Sequence, residues 1–356
     1  MKGLILSGGK GTRLRPLTFT RAKQLIPIAN KPNLFYVVED LVGAGITDIG
    51  VVISPETGDE IRASLTEGNT WGAAFTFIEQ ASPNGLAHAV KTALPYLGDE
   101  PFVMYLGDNL LNGGIRHLVE EFADSAPDSI VLLTPVANPS QFGVAELDES
   151  GGVVRLVEKP KDPPSDLALV GVYVFNSKIH GVIEDLKPSG RGEYEITDAI
   201  QGLIDAGERV VAHTVRGWWK DTGKPEDLLE ANRLVLSHVE RDVRGEVDDS
   251  RVDGAVVLAE GARVIKSTVR GPAHIAAGAV VDSSYVGPYT SIGPGAKVIH
   301  SEIEYSILLH EAELHHLPQR MDASVIGQGV VVDGSGGSTR KNTIQLVLGD
   351  FSHVKL

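Results

Sequence analysis

A glycine-rich loop flanked by cations follows the first apolar segment of the chain, with the sequence Ser7-Gly-Gly-Lys-Gly-Thr-Arg-Leu-Arg-Pro16. Glycines let main-chain N–H groups approach phosphate oxygens closely, and neighbouring Lys and Arg side chains neutralise them. A Walker loop would need Ser or Thr after the lysine, but Lys10 is followed by Gly11. A dinucleotide fingerprint would need glycine where Leu14 stands and an acidic residue about twenty positions later, where none occurs. We therefore interpret the segment as a phosphate loop of neither kind.

Charge is unevenly distributed along the chain. The formal net charge is −15, yet residues 1–38 contain no Asp or Glu. The same stretch carries the cations Lys2, Lys10, Arg13, Arg15, Arg21, Lys23 and Lys31. A small basic region in an acidic protein suits a compact polyanion such as a triphosphate. The overall acidity argues against nucleic acid as a partner.

Two aspartates further along the chain are candidate metal ligands. Asp108 follows the apolar run Phe102–Leu106, and Asp221 lies in a turn at the end of another predicted strand. Ligands of α/β sheets bind at the carboxyl ends of strands. Mg²⁺ takes one or two protein carboxylates and otherwise uses phosphates and water. We therefore predict a Mg²⁺ site at Asp108 and Asp221.

The elements that position these residues alternate between strand and helix over the first two-thirds of the chain. Helical patterns cover 34–44 and 86–94, and Pro225 opens a helix over 226–238. This alternation predicts a Rossmann-like α/β domain, with a mostly parallel mixed sheet, over residues 1–240. Its predicted strands are 3–6, 49–53, 75–78, 102–106 and 130–133, and an inserted, partly antiparallel layer follows at 143–147, 153–158 and 171–175.

After Asp242 a hexapeptide repeat begins. Apolar positions recur in evenly spaced sets that start at positions 252, 269, 286 and 303. Such hexapeptide repeats indicate a left-handed parallel β-helix, with one three-sided coil per set, over residues 241–356. The register weakens at 311–322 and at 333–342 and resumes at Val325 and at 344–356. We expect this domain to serve assembly and stability, so that removing it leaves the triphosphate site chemically complete.

A longer set of motifs identifies the chain's family. The phosphate loop is followed by Lys23-Gln-Leu-Ile-Pro27, and together they resemble the sugar-1-phosphate nucleotidyltransferase family. The further motifs, in the order of the family, are Gln80 with Pro83-Asn-Gly-Leu-Ala87, Leu106-Gly-Asp-Asn109, Phe142-Gly-Val144, Glu158-Lys-Pro160, Val170-Gly-Val-Tyr173, Arg191–Asp198 and Trp219-Lys-Asp-Thr-Gly223. The Lys23 and Arg191 motifs and the β-helical tail resemble the long-type glucose-1-phosphate thymidylyltransferases (dTDP-glucose pyrophosphorylases).

The resemblance implies a role for each matched residue. Arg13, Lys23, Asp108 and Asp221 would be catalytic. The nucleotide would be bound by Gly8, Gly9, Gly11, Thr12, Arg13, Lys23, Gln24, Gln80, Gly85 and Asp108, with Gln80 at the edge of the base. The sugar phosphate would be bound by Asn109, Gly143, Glu158, Lys159, Val170 and Arg191. The implied substrates are dTTP and glucose 1-phosphate, and the implied reaction is direct in-line attack with release of pyrophosphate.

Several alternatives stay open at this point. UTP could replace dTTP, since one methyl group in a pocket is worth only about 1–3 kcal/mol. Histidines in the tail leave room for a bifunctional enzyme that also transfers an acyl group, and a non-enzymatic regulatory subunit could share the fold. The absence of cysteine excludes disulfides and thiolate catalysis. No apolar run is long enough to span a bilayer, so we expect a cytoplasmic protein without a membrane partner. The outer faces and ends of a coil stack need cover, so we also expect a homo-oligomer.

Overall fold

The computed structural model describes residues 1–335 and 343–356 and divides them between two compact units. The first unit comprises Met1–Gly9 and Leu34–Asp221, and the second comprises Lys10–Asn33 and Thr222–Leu356. The predicted division at residue 240 differs from this one, because the phosphate-loop segment and residues 222–240 group with the C-terminal repeats. The boundary at residue 240 between a catalytic domain and a β-helix domain stays a prediction. Part of the predicted loop at 333–342 lies outside the described residues.

A nine-stranded mixed sheet forms the centre of the first unit. Its strands are β1 (Lys2–Leu6), β2 (Asp48–Ile53), β3 (Ala74–Glu79), β4 (Phe102–Leu106), β6 (Ser129–Pro135), β7 (Gly143–Leu147), β8 (Val153–Glu158), β9 (Leu167–Phe175) and β10 (Val210–Thr214). The main path runs β8-β7-β9-β4-β1-β2-β3, and β6 pairs with both β9 and β10. The pairs β4-β1, β1-β2, β2-β3 and β6-β10 are parallel, as the alternation of strand and helix predicts.

The strands from 143 onward do not form a separate layer, and in this respect the sequence interpretation is wrong. Strand β9 enters the centre of the main sheet and runs antiparallel to β4, β6 and β7. Eight of its nine residues are buried, so an apolar strand of this kind is most stable with neighbours on both edges and cover on both faces. A separate ribbon, β5 (Asn109–Leu111) with β11 (Trp219–Asp221), is antiparallel.

Helices pack on the sheet through apolar faces. They are α1 (Asn33–Gly43), α2 (Gly58–Glu67), α3 (Leu86–Leu97), α4 (Arg116–Ser125), α5 (Lys178–Asp185) and α6 (Ile196–Asp205). One core cluster joins Val90 and Ala93 of α3 with Ile200 of α6 and the rings of Phe102 and Phe175. This buried cluster fixes the strand ends from which the candidate site residues project.

The second unit contains a parallel β-helix, as predicted. Its three sheets stack one strand per coil, and the pairs Leu258↔Ile275 and Ile275↔Ile292 reproduce the register that the repeat predicts. One sheet contains Asp242–Val243, Val256–Leu258, Ala273–Ile275, Thr290–Ile292, Ile307–Leu308, Val325–Ile326 and Val347–Leu348. The next contains Glu246–Asp248, Arg263–Ile265, Val280–Asp282, Lys297–Ile299, Glu313–His315, Val331–Asp333 and His353–Lys355. The third contains Arg251–Asp253, Thr268–Arg270, Tyr285–Val286, Glu302–Ile303, Arg320–Met321 and Thr343–Ile344.

Coils continue through the segment where the sequence repeat weakens. Leu314 pairs with Val298 of the preceding coil and with Val332 of the following one, although these two coils differ in length. A serine ladder supports one corner, because Ser267 donates its main-chain N–H to Ser250 Oγ at 2.9 Å and Ser284 donates to Ser267 Oγ at 3.0 Å. Small changes in coil length are absorbed in the corners while the strands stay aligned.

The rest of the second unit is the phosphate-loop segment and one helix. The segment contains three 3₁₀ turns, Thr12–Leu14, Leu17–Phe19 and Lys23–Leu25, and a short ribbon of Pro27–Ile28 with Lys31–Pro32. Helix α7 (Pro225–Leu236) begins with proline at its first turn, where a missing N–H costs nothing. Among the described residues, no helix is long and apolar enough to cross a membrane.

Candidate functional site

In the first unit, the carboxyl ends of the parallel strands β1 and β3, which flank β2, bring Gly8 of the glycine loop near Gln80, the candidate for base recognition. Gly8 follows β1, and Gln80 follows β3. A Cβ added to Gly8 would lie 3.4 Å from Gln80 Oε1. Gly9, the next loop residue, is exposed. The lack of side chains on both glycines leaves main-chain N–H groups accessible at the sheet edge, as phosphate binding requires.

The predicted metal ligands lie on neighbouring segments, with Asp108 in the turn between β4 and β5 and Asp221 in β11, which pairs with β5. Asp108 follows β4 and is 6 % exposed, and Gly107 donates its N–H to Leu6 O at 3.0 Å, which holds this turn beside β1. Asp221, in β11, is the register partner of Asn109 in β5. Residues opposite each other in an antiparallel pair have Cα atoms about 5 Å apart. The ribbon therefore brings Asp221 next to the neighbour of Asp108.

Asn109 is held in place by three neighbours. Its Nδ2 donates to Asp108 Oδ1 at 3.3 Å, and its Oδ1 accepts from Trp219 Nε1 at 2.7 Å. A Cβ on Gly171 would lie 2.8 Å from the same Oδ1. Asn109 therefore links the predicted metal ligands to β9, and Trp219 orients it rather than only filling the core.

Two carboxylates on neighbouring segments suit Mg²⁺. Among residues 1–335 and 343–356, no group of three or more His, Cys, Asp or Glu side chains could hold a metal ion. Mg²⁺ needs only one or two carboxylates when phosphates and water complete its shell. Asp108 and Asp221 meet that requirement, so the residues present fit the ion.

The predicted sugar-phosphate residues form a second cluster in the first unit, around Glu158 at the end of β8. Glu158 Oε1 lies 3.2 Å from Arg191 Nη1 and 3.1 Å from Lys159 Nζ. Thr197 Oγ1 donates to Glu158 Oε2 at 3.3 Å, and Gly143 makes room for that oxygen. Arg191 also lies 3.4 Å from Glu193 Oε2 and 3.3 Å from Glu195 Oε1, so a phosphate has to compete with these carboxylates for the two cations.

The remaining predicted residue here, Val170, is fully buried in β9. Its position lies in the irregular stretch of β9, where the register with β6 shifts between Leu169 and Tyr173. An irregular ladder leaves main-chain groups that a ligand can use. Val170 can therefore contribute only through its backbone.

Burial shifts the pKa of two carboxyls beside this cluster. Glu195 is 4 % exposed, and its burial raises its pKa, although Ser189 donates to it at 2.9 Å. Burial also raises the pKa of Asp198, with a further contribution from Glu158. Raised carboxyl pKa values often accompany functional sites, since the desolvated charge is ready to be neutralised by a bound cation or proton.

Gly85 joins the base-reading and sugar-phosphate segments. It precedes α3 with φ = 108°, a conformation that favours glycine, and a Cβ there would lie 2.4 Å from Tyr194 O. Tyr194 donates its N–H to Asn84 O at 2.7 Å, and Ala87 donates to Tyr194 O at 3.1 Å. The two motifs, more than a hundred positions apart, are thus locked together by backbone hydrogen bonds.

In the second unit, the phosphate-loop segment folds so that Gly11 contacts Lys23. A Cβ on Gly11, which has φ = 61°, would lie 3.1 Å from Lys23 Cβ, and Thr18 Oγ1 donates to Gly11 O at 2.7 Å. Thr12 and Arg13 are exposed in the first 3₁₀ turn. The structure therefore brings the predicted glycine and lysine together and presents Arg13 to solvent.

Gln24 differs from these exposed loop residues. It is 1 % exposed, and its Oε1 has no hydrogen-bond partner among the described residues. A buried polar atom of this kind normally has a partner. The side chain of Gln24 is enclosed, whereas that of Arg13 is exposed, and nucleotide binding by Gln24 stays a prediction.

Residues of the β-helix and of α7 hold the phosphate-loop segment at two places. Asp350 Oδ2 accepts from Thr20 Oγ1 at 2.7 Å and from Arg21 Nη2 at 3.0 Å. Arg21 Nη2 also donates to Gln328 Oε1 at 2.7 Å. We call Thr20, Arg21, Gln328 and Asp350 the Arg21 anchor.

The second attachment is near residue 30. Asn30 Nδ2 donates to the carbonyl oxygens of His274 and Ile292 at 3.1 and 3.0 Å, and Ala29 N donates to Asn232 Oδ1 at 2.8 Å. The β-helix therefore supports the segment that carries Arg13 and Lys23. The expectation that removing the tail leaves the triphosphate site chemically complete stays a prediction, and these contacts argue against it.

Histidines of the tail, the basis of the acyl-transfer alternative, are engaged in local contacts. His274 Nδ1 lies 2.9 Å from Ala29 O, and burial lowers the pKa of its ring. His300 and His316 stack with ring centroids 4.9 Å apart, and His315 Nε2 lies 2.8 Å from Glu313 Oε2. These contacts are those of structural histidines.

The sequence analysis did not identify three residues whose side chains orient the predicted site residues. Trp219 holds Asn109, Thr197 holds Glu158, and His88 Nδ1 lies 2.8 Å from Gln80 Nε2. His88 and Thr197 both lie inside or beside segments recognised as motifs. Spacing within a segment shows which residues are near each other along the chain, but not which side chain in another segment they contact.

Comparison with known proteins places the chain among nucleotide-transferring enzymes. The family model for nucleotidyl transferases matches residues 2–238. A glucose-1-phosphate thymidylyltransferase of Streptomyces antibioticus is 49% identical over 358 residues, with 100% of this chain and 99% of that protein covered. A nucleotidyltransferase of low-salt glycan biosynthesis, Agl11 of Haloferax volcanii, is 48% identical over 359 residues and covers 100% of both proteins.

A solved structure matches about two-thirds of the chain. It is a Bacillus anthracis protein described as a glucose-1-phosphate thymidylyltransferase in complex with a sucrose. Its TM-score is 0.62 at 37% identity, and the match covers 66% of this chain and 94% of that one. The two relatives thus match this chain over its whole length, tail included, whereas the solved structure matches a shorter part.

Proposed function

This chain belongs to the nucleotidyl transferase family, and we propose that it joins dTTP and glucose 1-phosphate into dTDP-glucose with release of pyrophosphate. The observation that carries this proposal is the 49% identity, over the whole chain, to an enzyme named glucose-1-phosphate thymidylyltransferase. The clusters around Asp108 and Glu158 supply carboxylates for a cation and cations for a sugar phosphate, which this reaction needs.

The proposed reaction is a single displacement. A phosphate oxygen of glucose 1-phosphate attacks the α-phosphorus of dTTP, and the bond from that phosphorus to the β-phosphate oxygen breaks in line. Pyrophosphate leaves with the electron pair. No general base is needed, since a phosphate dianion is already the nucleophile. Positioning and electrostatic stabilisation supply most of the rate enhancement in such transfers.

Each candidate residue takes a role within this reaction. Arg13 and Lys23 bind the triphosphate and stabilise charge on the leaving pyrophosphate, and the main-chain N–H groups of the glycine loop assist them. Asp108 and Asp221 would hold Mg²⁺, which when bound neutralises phosphate charge. Arg191 and Lys159 bind the sugar phosphate.

The remaining expectations are part of the same proposal. The catalytic domain spans residues 1–240 and the left-handed β-helix spans 241–356, in a cytoplasmic homo-oligomer. Discrimination between thymine and uracil is modest, since the methyl group by which they differ is worth only about 1–3 kcal/mol. UTP should therefore serve as a poorer substrate than dTTP, and no tail histidine contact favours acyl transfer.

A substrate panel tests the proposal. Pyrophosphate release would be measured for dTTP, UTP, dCTP and ATP, each with glucose, galactose and N-acetylglucosamine 1-phosphates. The expected result is the highest kcat/KM for dTTP with glucose 1-phosphate. A ten-fold preference for another pair, or activity only with acetyl-CoA, would replace this function by one of the alternatives.

A further inference from the structure

The amide of Gln80 has its orientation fixed by two neighbours. Gln80 Nε2 lies 3.3 Å from Gly85 O and 2.8 Å from His88 Nδ1. A carbonyl oxygen can only accept a hydrogen bond, so the amide atom facing Gly85 O has to be the NH₂ group. One of its two hydrogens goes to Gly85 O, and the other goes to His88.

His88 therefore accepts at Nδ1 and carries its proton at Nε2. The neutral ring is favoured, because burial and the charge of Lys91 lower the pKa of His88. Lys91 is the charged group acting on the ring from α3, and Tyr194, with ring centroids 6.1 Å apart, is the titratable group facing it from the segment before α6. A neutral imidazole with an accepting Nδ1 completes the hydrogen bonds of the Gln80 NH₂ group.

Because both hydrogens of the NH₂ group are already donated, Oε1 is the amide atom of Gln80 that can form a hydrogen bond with a ligand. That oxygen lies on the side of Gly8, where an added Cβ would be 3.4 Å away. Oε1 is an acceptor only. Thymine and uracil carry a ring N–H in the middle of their pairing edge, whereas cytosine carries a bare acceptor nitrogen there. An oriented oxygen therefore suits the imide bases.

We propose that His88 is a positioning residue for base recognition, which holds the Gln80 amide so that its oxygen receives the N–H of a pyrimidine imide. This inference deepens the proposed function and rests on it. The identity of the base is thus set by a hydrogen-bond chain of Gly85, Gln80 and His88. If Nδ1 of His88 gains a proton, it becomes a donor and can bond only to the amide oxygen of Gln80. Gly85 O still needs the amide NH₂ group at the same place, so the amide loses its fixed orientation.

A pair of nearly isosteric variants isolates the role of Nδ1. In His88→Asn the side-chain oxygen stands the same number of bonds from the backbone as Nδ1 and still accepts. In His88→Leu a methyl group occupies that place and accepts nothing. The readout is the ratio of kcat/KM for dTTP to that for dCTP, each with glucose 1-phosphate. Loss of one specificity hydrogen bond should lower this ratio roughly ten-fold in His88→Leu.

The expected pattern is a low ratio in His88→Leu and a ratio within about two-fold of the wild type in His88→Asn. Equal losses for both triphosphates in His88→Leu, or equal ratios in the two variants, would overturn the proposal and make His88 structural. If the wild type releases no pyrophosphate from dTTP, it is the proposed function that fails instead.

A pH series on the wild type needs no variant. The ratio for dTTP over dCTP should be constant near neutrality and should fall on acidification, at a pH below the usual histidine range, because the pKa of His88 is lowered. Phosphate ionisation is common to both substrates and cancels in the ratio, but the ring nitrogen of cytosine also gains a proton in acid. His88→Asn should show only the fall that cytosine protonation causes, and a wild-type profile that coincides with that of His88→Asn down to pH 4.5 would contradict the inference.

Discussion

Breaking the Arg21 anchor should weaken the use of dTTP. In Asp350→Ala the carboxylate that accepts from Thr20 and Arg21 is removed, and its other oxygen no longer accepts from Gln328 N at 2.8 Å. The Asp350 side chain is 3% exposed and that of Arg21 is 15% exposed, so the cation is left desolvated beside a single neutral partner. The segment carrying Arg13 and Lys23 then loses one of its two attachments to the β-helix.

The size of the effect follows from these contacts. Hydrogen bonds to charged groups contribute about 1.5–3 kcal/mol, and losing one partner of a mostly buried pair lies near the upper end, about 3 kcal/mol. If all of this had to be regained when dTTP binds, KM would rise about a hundred-fold. Asn30 and Ala29 still hold the other end of the segment. We therefore expect a rise of about ten-fold.

The assay is steady-state pyrophosphate release at varied dTTP, with thermal unfolding measured in parallel. Asp253→Ala is the matched control, because it removes an aspartate of the β-helix whose ion pair with Arg251 is largely exposed. Exposed pairs contribute little, so this variant should keep the wild-type KM. An Asp350→Ala enzyme that melts earlier but has an unchanged KM for dTTP would refute the reasoning, since the anchor would then stabilise the fold without positioning the loop.

Four further predictions concern the candidate site. Asp108→Asn and Asp221→Asn should each lower turnover by at least a hundred-fold at low Mg²⁺, with circular dichroism unchanged, and near-normal turnover would remove that residue from the metal site. Lys23→Ala should raise KM for dTTP without lowering Tm, and unfolding with normal kinetics would show that its role is structural. Gly85→Ala should destabilise the protein by several kcal/mol, because its Cβ would lie 2.4 Å from a carbonyl oxygen; an unchanged Tm would contradict the backbone geometry. Glu195→Gln should raise Tm at pH 7 and leave it unchanged near pH 3, because a carboxyl whose pKa is raised in the folded protein destabilises the fold only when it is ionised. A Tm raised near pH 3 but not at pH 7 would contradict the raised pKa of Glu195.

Structure that follows a regular spacing of apolar residues can be predicted well from the sequence, because each strand or coil places those residues on the same face. The β-helix register is an example, since Leu258, Ile275 and Ile292 stack as their even spacing predicts. Asp108 was predictable for a similar reason, because it follows the apolar run Phe102–Leu106, whereas Asp221 follows Trp219-Lys220 and was indicated by its motif. The placement of β9 was not, since its apolar residues fit a central or a separate strand equally well.

The orienting contacts were beyond sequence reasoning for a physical reason. Arg21 and Asp350 are 329 positions apart, and each resembles an ordinary surface residue until the coil stack brings them together. The hydrogen bond between Gln80 and His88 depends on the angle at which α3 leaves Gly85. Such contacts depend on tertiary packing, and no pattern of types and spacing within one segment encodes them.

Transfer of label from dTTP tests the central claim most directly. The enzyme would be incubated with dTTP labelled at the α-phosphorus, Mg²⁺ and unlabelled glucose 1-phosphate, and the products and the protein would be analysed for label. We expect labelled dTDP-glucose in an amount equal to that of pyrophosphate. We also expect no release of pyrophosphate without the sugar phosphate, and no label on the protein. Labelled protein, or pyrophosphate formed from dTTP alone, would contradict direct attack by the sugar phosphate.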